Sequence, residues 1–176
     1  IWINTDNGLD RYDGYNFTSY KYPKKSKVIT NLLARMIIED KLGNIWIVSY
    51  NGGVEKFNPQ TKTFKNYLPD SQHPAHGWGN FVLEIYFDKD NIMWVGTAFG
   101  FYRFNEGNET FTQFLHDEND PYSLGHNSVN SIYEDNSGTL WLATGGGLDK
   151  FEKETNKFFH YWHYPNNQWG DPKTRQ

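Results

Sequence analysis

Histidine and aromatic side chains gather in the irregular segments of this chain of 176 residues. His73 and His76 stand in one such segment, and His116 and His126 stand in another. Aromatic faces beside short polar groups suit a sugar-like ligand, because its C–H faces pack on rings while its hydroxyls need hydrogen bonds. We therefore predict ligand-binding residues in these segments and in two nearby turns. The candidates are Tyr50, His73, His76, Trp78, Phe99, His116, Asp117, Tyr122 and His126.

The residue types and their spacing do not favour metal binding or catalysis. His73 and His76 have the spacing of two metal ligands, but no third ligand is evident nearby, so exposed histidines are favoured. The chain has no cysteine, which excludes disulfides, thiolate catalysis and zinc–thiolate sites. Motifs for a serine nucleophile, a phosphate loop or a zinc protease are missing from the sequence. We expect no catalytic residue, no metal and no cofactor, and we interpret the region as non-enzymatic.

The charge balance excludes further classes of partner. The formal net charge is -4, with 17 Lys and Arg against 21 Asp and Glu. Nucleic-acid binding needs a dense basic face, and the one basic cluster, Lys21 to Lys27, is short enough to be a solvated loop. Apolar runs stay well below the roughly 18 residues that cross a bilayer, so we expect no direct membrane insertion of this segment.

The elements that would position the candidate residues form a repeat of about 46 residues. Its marker is a tryptophan followed six residues later by a glycine, and an aromatic residue and an aromatic pair come next. An Asp-x-x-Gly or Asp-x-x-Asn turn precedes three of the tryptophans, and its last residue tolerates positive φ. The repeated residues are Trp2, Trp46, Trp94 and Trp141, with Gly8, Gly52, Gly100 and Gly147.

Each repeat has the pattern of four short strands, a to d, joined by turns. Strand b is apolar on both faces, as in Ile45–Val48 and Leu140–Leu142, which indicates a sheet covered on both sides. Radial packing of four-stranded blades provides that environment. A two-sheet sandwich, the alternative, does not explain the regular period. We predict an all-β fold, a β-propeller fragment of four-stranded antiparallel blades with about 3.75 blades present.

The blade boundaries follow from the repeat. We expect a partial blade without strand a at residues 1–20, full blades at 31–67, 80–114 and 127–161, and an inter-blade linker or tail at 162–176. Because a propeller avoids open sheet edges by closing its ring, the expected partners include the remaining propeller blades of the parent chain or a second copy. A chain that opens inside a strand pattern is interpreted as a piece of a longer protein.

The two sides of such a disc differ in their loops. Strand direction alternates, so the a–b and c–d turns share one side, the turn face, and the b–c turns and inter-blade linkers share the other, the linker face. The linkers, residues 21–30, 68–79 and 115–126, are long and unlike one another, whereas the a–b turns are tight and uniform. Variable loops on a rigid scaffold usually carry binding residues, so we assign the candidates to the linker face. The repeated tryptophans are interpreted as structural, since function rarely repeats in every blade.

The segment from Asn127 to Phe151 reads Asn-x-Val-x-Ser-Ile-x-Glu-Asp-x-x-Gly-x-Leu-Trp-Leu-x-Thr-x-x-Gly-Leu-x-Lys-Phe. It resembles the two-component regulator propeller repeat, and Asp117–Leu124 resembles that family's linker. The resemblance implies a periplasmic sensor region of a membrane-bound hybrid two-component histidine kinase of Bacteroidetes type, which detects carbohydrate fragments and takes an oligosaccharide or other small ligand as partner. A propeller enzyme such as a polysaccharide lyase, and a protein-binding scaffold of a secretion system, stay open as alternatives.

Overall fold

The computed structural model describes residues 1–5, 8–22, 34–49, 53–70, 80–163 and 169–170. The regular structure in these residues is β-strand, without an α-helix. The strands, in chain order, are β1 (Trp2–Thr5), β2 (Gly8–Tyr12), β3 (Phe17–Lys21), β4 (Ala34–Glu39), β5 (Ile45–Ser49), β6 (Val54–Asn58), β7 (Thr63–Tyr67), β8 (Val82–Phe87), β9 (Met93–Thr97), β10 (Gly100–Asn105), β11 (Thr110–Phe114), β12 (Val129–Glu134), β13 (Leu140–Thr144), β14 (Gly147–Glu152), β15 (Lys157–His163) and β16 (Trp169–Gly170).

These strands form four antiparallel sheets, each built in chain order. Blade 1 contains β1 to β3, blade 2 contains β4 to β7, blade 3 contains β8 to β11, and blade 4 contains β12 to β16. The predicted all-β architecture of about 3.75 blades is confirmed. Strand β16 is not predicted by the repeat: it lies in the segment expected to be a linker or tail, and it pairs with the outer edge of β15 at Trp162 and His163.

The inner strands of blades 2, 3 and 4 carry a bulge at the same place. The register shifts after Ala34 in β4, after Val82 in β8 and after Val129 in β12. A bulge bends its strand and increases the twist, so these inner strands are curved alike. Glu84 joins two of them, because its Oε2 accepts a hydrogen bond of 2.9 Å from the backbone N–H of Ile132.

Apolar side chains fill the three spaces between consecutive blades. In β5, Ile45 and Ile47 belong to the cluster shared with blade 1, whereas Trp46 and Val48 belong to the cluster shared with blade 3. None of these four side chains is more than 3% exposed. Strand b is therefore apolar on both faces because each face packs against a different neighbouring blade.

Each tryptophan that is followed by another blade meets an aromatic ring of that blade edge-on. The ring centroids of Trp46 and Phe104 are 5.5 Å apart at an interplanar angle of 74°. Those of Trp94 and Phe151 are 5.3 Å apart at 72°. Such edge-to-face pairs add roughly 1 kcal/mol beyond the burial of their surface. The burial of this column agrees with the structural role predicted for it.

A carboxylate of the same blade fixes the tryptophan of each full blade. The indole N–H of strand b donates to the Asp that opens the a–b turn, at 2.8 Å in all three cases. The other oxygen of that Asp accepts backbone N–H groups of the turn at 2.9 to 3.1 Å. One carboxylate therefore holds both the turn and the ring. The pairs are Asp40–Trp46, Asp88–Trp94 and Asp135–Trp141.

Replacing Asp40 by alanine is expected to destabilise the fold by about 2 kcal/mol, because the buried indole N–H of Trp46 loses its acceptor. Asp135→Ala is the matched control: Trp141 is only partly buried, so water can replace the lost carboxylate and the effect should be smaller. Urea unfolding followed by tryptophan fluorescence measures both variants. Equal losses at the two positions would contradict the dependence on burial.

Candidate ligand-binding site

The b–c turns of blades 3 and 4 share one geometry. Thr97 pairs with Gly100, and Thr144 pairs with Gly147, which leaves two residues in each turn. Each threonine hydroxyl donates to the carbonyl of its glycine at 3.0 Å. The glycines have φ values of 134° and 138°, a region that favours glycine. The ends of each turn are therefore fixed, and the two residues between them can differ from blade to blade.

Phe99 occupies the second of these variable positions in blade 3. Its side chain is 44% exposed, although its backbone is held on both sides. Its N–H donates to Thr97 Oγ1 at 3.0 Å, and its carbonyl accepts a hydrogen bond of 3.2 Å from the hydroxyl of Tyr102. An exposed ring on a rigid turn is suited to stacking against an apolar face of a ligand.

His126 lies against the b–c turn of blade 4. Its Nδ1 accepts a hydrogen bond of 3.0 Å from the backbone N–H of Ser128, so the neutral ring carries its proton on Nε2. A Cβ at Gly145 would lie 2.5 Å from His126 Nδ1, which shows that the ring packs closely over Gly145. The exposed ring of His126 therefore presents an Nε2–H donor on the linker face.

Backbone hydrogen bonds tie these two turns to one segment. The N–H of Gly100 in blade 3 donates to the carbonyl of Asn127 at 2.6 Å, and the N–H of Gly145 in blade 4 donates to the carbonyl of Ser128 at 2.9 Å. Adjacent residues thus bind both turns at the boundary between blades 3 and 4. Phe99 and His126 flank this segment, and we name these two residues the blade 3–4 site.

His116 borders the same segment and uses part of its ring within the linker. Its Nδ1 donates to the carbonyl of Leu124 at 2.7 Å, and its backbone N–H donates to Asn127 Oδ1 at 2.7 Å. With the proton on Nδ1, the Nε2 of the neutral ring is an acceptor. The exposed histidines of this linker, His116 and His126, therefore offer opposite hydrogen-bonding roles.

Asp117 and Tyr122 make contacts that hold the linker itself. Asp117 Oδ1 accepts a backbone hydrogen bond of 2.9 Å from the turn that follows it. The ring of Tyr122 packs on Phe159, with centroids 5.7 Å apart, and Lys157 Nζ lies 4.5 Å above it. Because the carbonyl of Tyr122 also accepts the N–H of Phe158 at 2.9 Å, Tyr122 runs along the outer edge of β15. The structure therefore places it at the rim of blade 4.

The remaining four candidates, Tyr50, His73, His76 and Trp78, lie outside the described residues. Within the part of the chain that the structure describes, no three histidine or carboxylate side chains are grouped as metal ligands would be.

A buried carboxylate that the repeat pattern does not predict anchors the linker to blade 4. Asp149 is 2% exposed, its Oδ2 accepts the backbone N–H of Gly125 at 2.7 Å, and its Oδ1 lies 2.8 Å from His160 Nδ1. A Cβ at Gly125 would fall 2.7 Å from the same carboxylate. The sequence could have indicated this contact through Asp149 and His160, an acid and a histidine that stand opposite each other on β14 and β15.

The residue at the position of Asp149 is different in the other two full blades. In blade 2 it is Glu55, which is 5% exposed, and burial raises the pKa of its carboxyl to about 7. In blade 3 it is Tyr102, where burial raises the pKa of the hydroxyl to about 12. The polar residue at this position of strand c therefore changes from blade to blade, whereas the tryptophan of strand b does not.

On the turn face, Lys153 joins blade 4 to blade 3. Its Nζ lies 2.7 Å from Asp88 Oδ2 and 2.8 Å from Glu134 Oε1. Burial disfavours the charged forms of both Lys153 and Asp88, but the favourable contacts between the two charges have the larger effect on the pKa values. The pKa of Asp88 is lowered despite its burial, because Lys153 and the indole of Trp94 donate to it. The pKa of Lys153 is raised despite its burial, because Asp88 and Glu134 accept from it.

Lys153→Met is expected to cost roughly 3 kcal/mol of stability at neutral pH, because it leaves two buried carboxylates without their cation. The ionised Asp88 contributes to the unfolding free energy above the ordinary carboxyl pKa of about 4. This contribution is lost as the pH falls through the lowered pKa of Asp88 in the folded state. The charged Lys153 contributes to the unfolding free energy below the ordinary lysine pKa of about 10. This contribution is lost as the pH rises through the raised pKa of Lys153 in the folded state.

The difference in unfolding free energy between the wild type and Lys153→Met should therefore stay constant from about pH 5 to pH 9 and shrink below about pH 4. Denaturant titrations at a series of pH values measure it. A difference that does not change in acid would contradict the ion-pair assignment.

Comparison with protein families identifies the repeats. Residues 77–99 and 123–146 match the family described as two component regulator propeller. These two segments are therefore similar to two-component regulator propeller repeats. Each matched segment includes one residue of the blade 3–4 site, Phe99 in the first and His126 in the second. No curated protein matches the sequence.

Solved propeller structures are similar to these repeats over most of the chain. The extracellular domain of a putative one-component system from B. thetaiotaomicron is 24% identical with a TM-score of 0.67, over 94% of this chain and 21% of that one. The extracellular domain of a putative hybrid two-component system from B. thetaiotaomicron is 20% identical with a TM-score of 0.66, over 99% and 30%. Virginiamycin B lyase from Staphylococcus aureus is 17% identical with a TM-score of 0.63, over 94% and 53%.

At these identities the likeness establishes the fold. The chain spans between 21% and 53% of the length of the three structures. Among its described residues, no helix has the length and apolar character needed to cross a membrane.

Proposed function

We propose that this chain is the ligand-sensing part of a periplasmic β-propeller sensor domain in a membrane-bound hybrid two-component regulator with a histidine kinase. The match of residues 77–99 and 123–146 to the two-component regulator propeller family carries this proposal. Two similar structures are extracellular domains of putative one-component and hybrid two-component systems. In such a regulator the propeller takes part in signal transduction by binding the ligand, and another domain supplies the output.

The ligand that fits the blade 3–4 site best is a carbohydrate fragment. The exposed ring of Phe99 suits the C–H face of a sugar. The Nε2–H of His126 suits a hydroxyl oxygen, and Nε2 of His116, in the same linker, suits a hydroxyl proton. Hydroxyl groups both donate and accept, so this linker offers both roles to a ligand that stacks on Phe99.

The site binds its ligand without turnover. Asp117 and Asp149 are two carboxylates described on this side of the disc, and both are engaged in hydrogen bonds that hold the linker. A general acid must instead reach the bond that breaks. The likeness to virginiamycin B lyase is one of fold and supplies no catalytic group to this chain.

Calorimetric titration of the complete sensor region with a panel of oligosaccharides tests the proposal. Phe99→Ala and His126→Ala are each expected to weaken binding about tenfold, since each removes one direct contact worth about 1.4 kcal/mol. Tyr15→Ala is the matched control: Tyr15 is 92% exposed in the c–d turn of blade 1, on the opposite face, and its loss should leave the affinity unchanged.

Three other results would contradict the proposal that the blade 3–4 site senses a carbohydrate fragment. Consumption of the oligosaccharide with release of products would indicate an enzyme. Failure of every oligosaccharide to bind or to raise the melting temperature would favour a protein-binding scaffold. Binding that neither variant changes would keep the sensing role and move the site, with Trp78→Ala as the next variant.

A further inference from the structure

The peptide group between Phe99 and Gly100 is held at both of its polar atoms. The carbonyl of Phe99 accepts a hydrogen bond of 3.2 Å from the hydroxyl of Tyr102, and the N–H of Gly100 donates to the carbonyl of Asn127 at 2.6 Å. Because a peptide group is planar, two hydrogen bonds at its opposite ends fix its orientation. The side chain of Phe99 leaves the backbone next to this group, so the same two contacts limit the directions that its exposed ring can take.

Tyr102 lies directly beneath this turn. Its side chain is fully buried, and a Cβ at Gly100 would lie 2.9 Å from its Cε2 atom, so the ring packs closely against the turn. Gln113 Nε2 donates to the hydroxyl oxygen of Tyr102 at 2.7 Å. Since that oxygen accepts from Gln113, its single proton is directed at the carbonyl of Phe99. Strands β10 and β11 together therefore aim one donor at the backbone of Phe99.

Blade 4 supports His126 from the same position of strand c. Tyr102 and Asp149 each stand two residues after the glycine that ends the b–c turn of their blade. Asp149 Oδ2 accepts the N–H of Gly125, the residue before His126, at 2.7 Å. A Cβ at Gly125 would also lie 2.8 Å from His160 Nδ1, so the backbone passes close over the buried pair of Asp149 and His160. The path of the chain into His126 is therefore fixed from beneath.

The supporting side chains are buried, whereas the two residues of the blade 3–4 site are exposed. Tyr102 is 0% and Asp149 is 2% exposed, against 44% for Phe99. Tyr102 and Asp149 therefore act on a ligand only through the residues that they hold. A contact that is held in place before binding loses less conformational freedom when the ligand arrives, which raises the affinity.

We infer that Tyr102 and Asp149 are positioning residues of the blade 3–4 site, so that one position of strand c sets the affinity of this site from beneath. The inference rests on the proposed function of that site. Tyr102 orients Phe99 through its carbonyl, and Asp149 orients His126 through the N–H of Gly125. Because this position differs in every full blade, each blade can hold a different contact on the linker face.

Calorimetric titration of the complete sensor region with cellotetraose, xylotetraose, maltotetraose and chitotetraose tests the role of Tyr102. Tyr102→Phe keeps the buried ring and removes the hydroxyl, and it should weaken binding of the tightest of these sugars about fivefold. The loss should disappear in a Phe99→Ala background and persist in a His126→Ala background, because Tyr102 acts through Phe99. A loss of equal size in both backgrounds would show a general structural effect and overturn the inference.

The same titrations test Asp149. Asp149→Ala should weaken binding about fivefold, and only where His126 is present. Asp149→Asn keeps an oxygen for the N–H of Gly125 and should bind as the wild type does. If Asp149→Ala does not fold, Asp149→Ser replaces it, since its shorter side chain also withdraws the acceptor from Gly125. An equal loss in Asp149→Asn, or a loss that remains in His126→Ala, would contradict the role of Asp149.

Hydrogen exchange without sugar separates this inference from the proposed function. Tyr102→Phe should speed exchange of the Gly100 amide about fivefold, because that amide belongs to the peptide group that the hydroxyl holds. Tyr67→Phe is the matched control: Tyr67 packs in the same buried cluster, but its hydroxyl donates to Glu109 at 2.9 Å.

It should change neither the exchange of Gly100 nor the affinity. If none of the tetrasaccharides binds, the carbohydrate proposal fails, while faster exchange at Gly100 still supports the positioning of Phe99 by Tyr102. Exchange at Gly100 that stays at the wild-type rate in Tyr102→Phe, or that rises equally in Tyr67→Phe, would overturn the inference.

Discussion

The edge-on contact between the tryptophan of one blade and an aromatic ring of the next recurs at all three boundaries between blades and sets their arrangement. The interplanar angles are 70° for Trp2 with Phe57, 74° for Trp46 with Phe104 and 72° for Trp94 with Phe151. Trp2 keeps this geometry although no Asp of the described residues holds its indole, so the angle does not depend on that hydrogen bond. The carboxylates of the other blades instead couple the ring to the a–b turn, which joins each turn to the inter-blade core.

The linker of residues 115–126 joins blades 3 and 4 and contains no strand. Side-chain hydrogen bonds hold it to blade 4 instead. In blade 4 the anchor is Asp149, which binds the backbone of Gly125. The equivalent residues in blades 2 and 3 are Glu55 and Tyr102, a longer acid and a phenol. The full blades therefore share the tryptophan of strand b and differ at this buried position of strand c.

The repeat predicts the strands, the a–b turns and the tryptophan column because those features depend on residues close together in sequence. Tyr122 illustrates the limit. Its position in a linker predicts the linker face, but its contacts with Lys157 and Phe159 depend on the path of the linker around blade 4. Lys153 is a second case: Pro59 and Glu106 stand at the same place in blades 2 and 3, so no column marks its ion pairs. Strand β16 covers two residues, too short for a periodic signal.

A ligand at the proposed blade 3–4 site would contact Phe99 of blade 3 and His126, which precedes blade 4 and lies against its b–c turn, so it would link those two blades. The same two blades are already joined by the ring contact of Trp94 with Phe151 and the ion pair of Lys153 with Asp88. A ligand shifts a conformational equilibrium only as far as it binds the two states differently. The hydrogen bonds that Gly100 and Gly145 donate to Asn127 and Ser128 hold the two turns at a defined spacing, so a ligand matched to that spacing would favour the state in which the blades are in contact. The signal that such a site can transmit is therefore a change in the contact between blades.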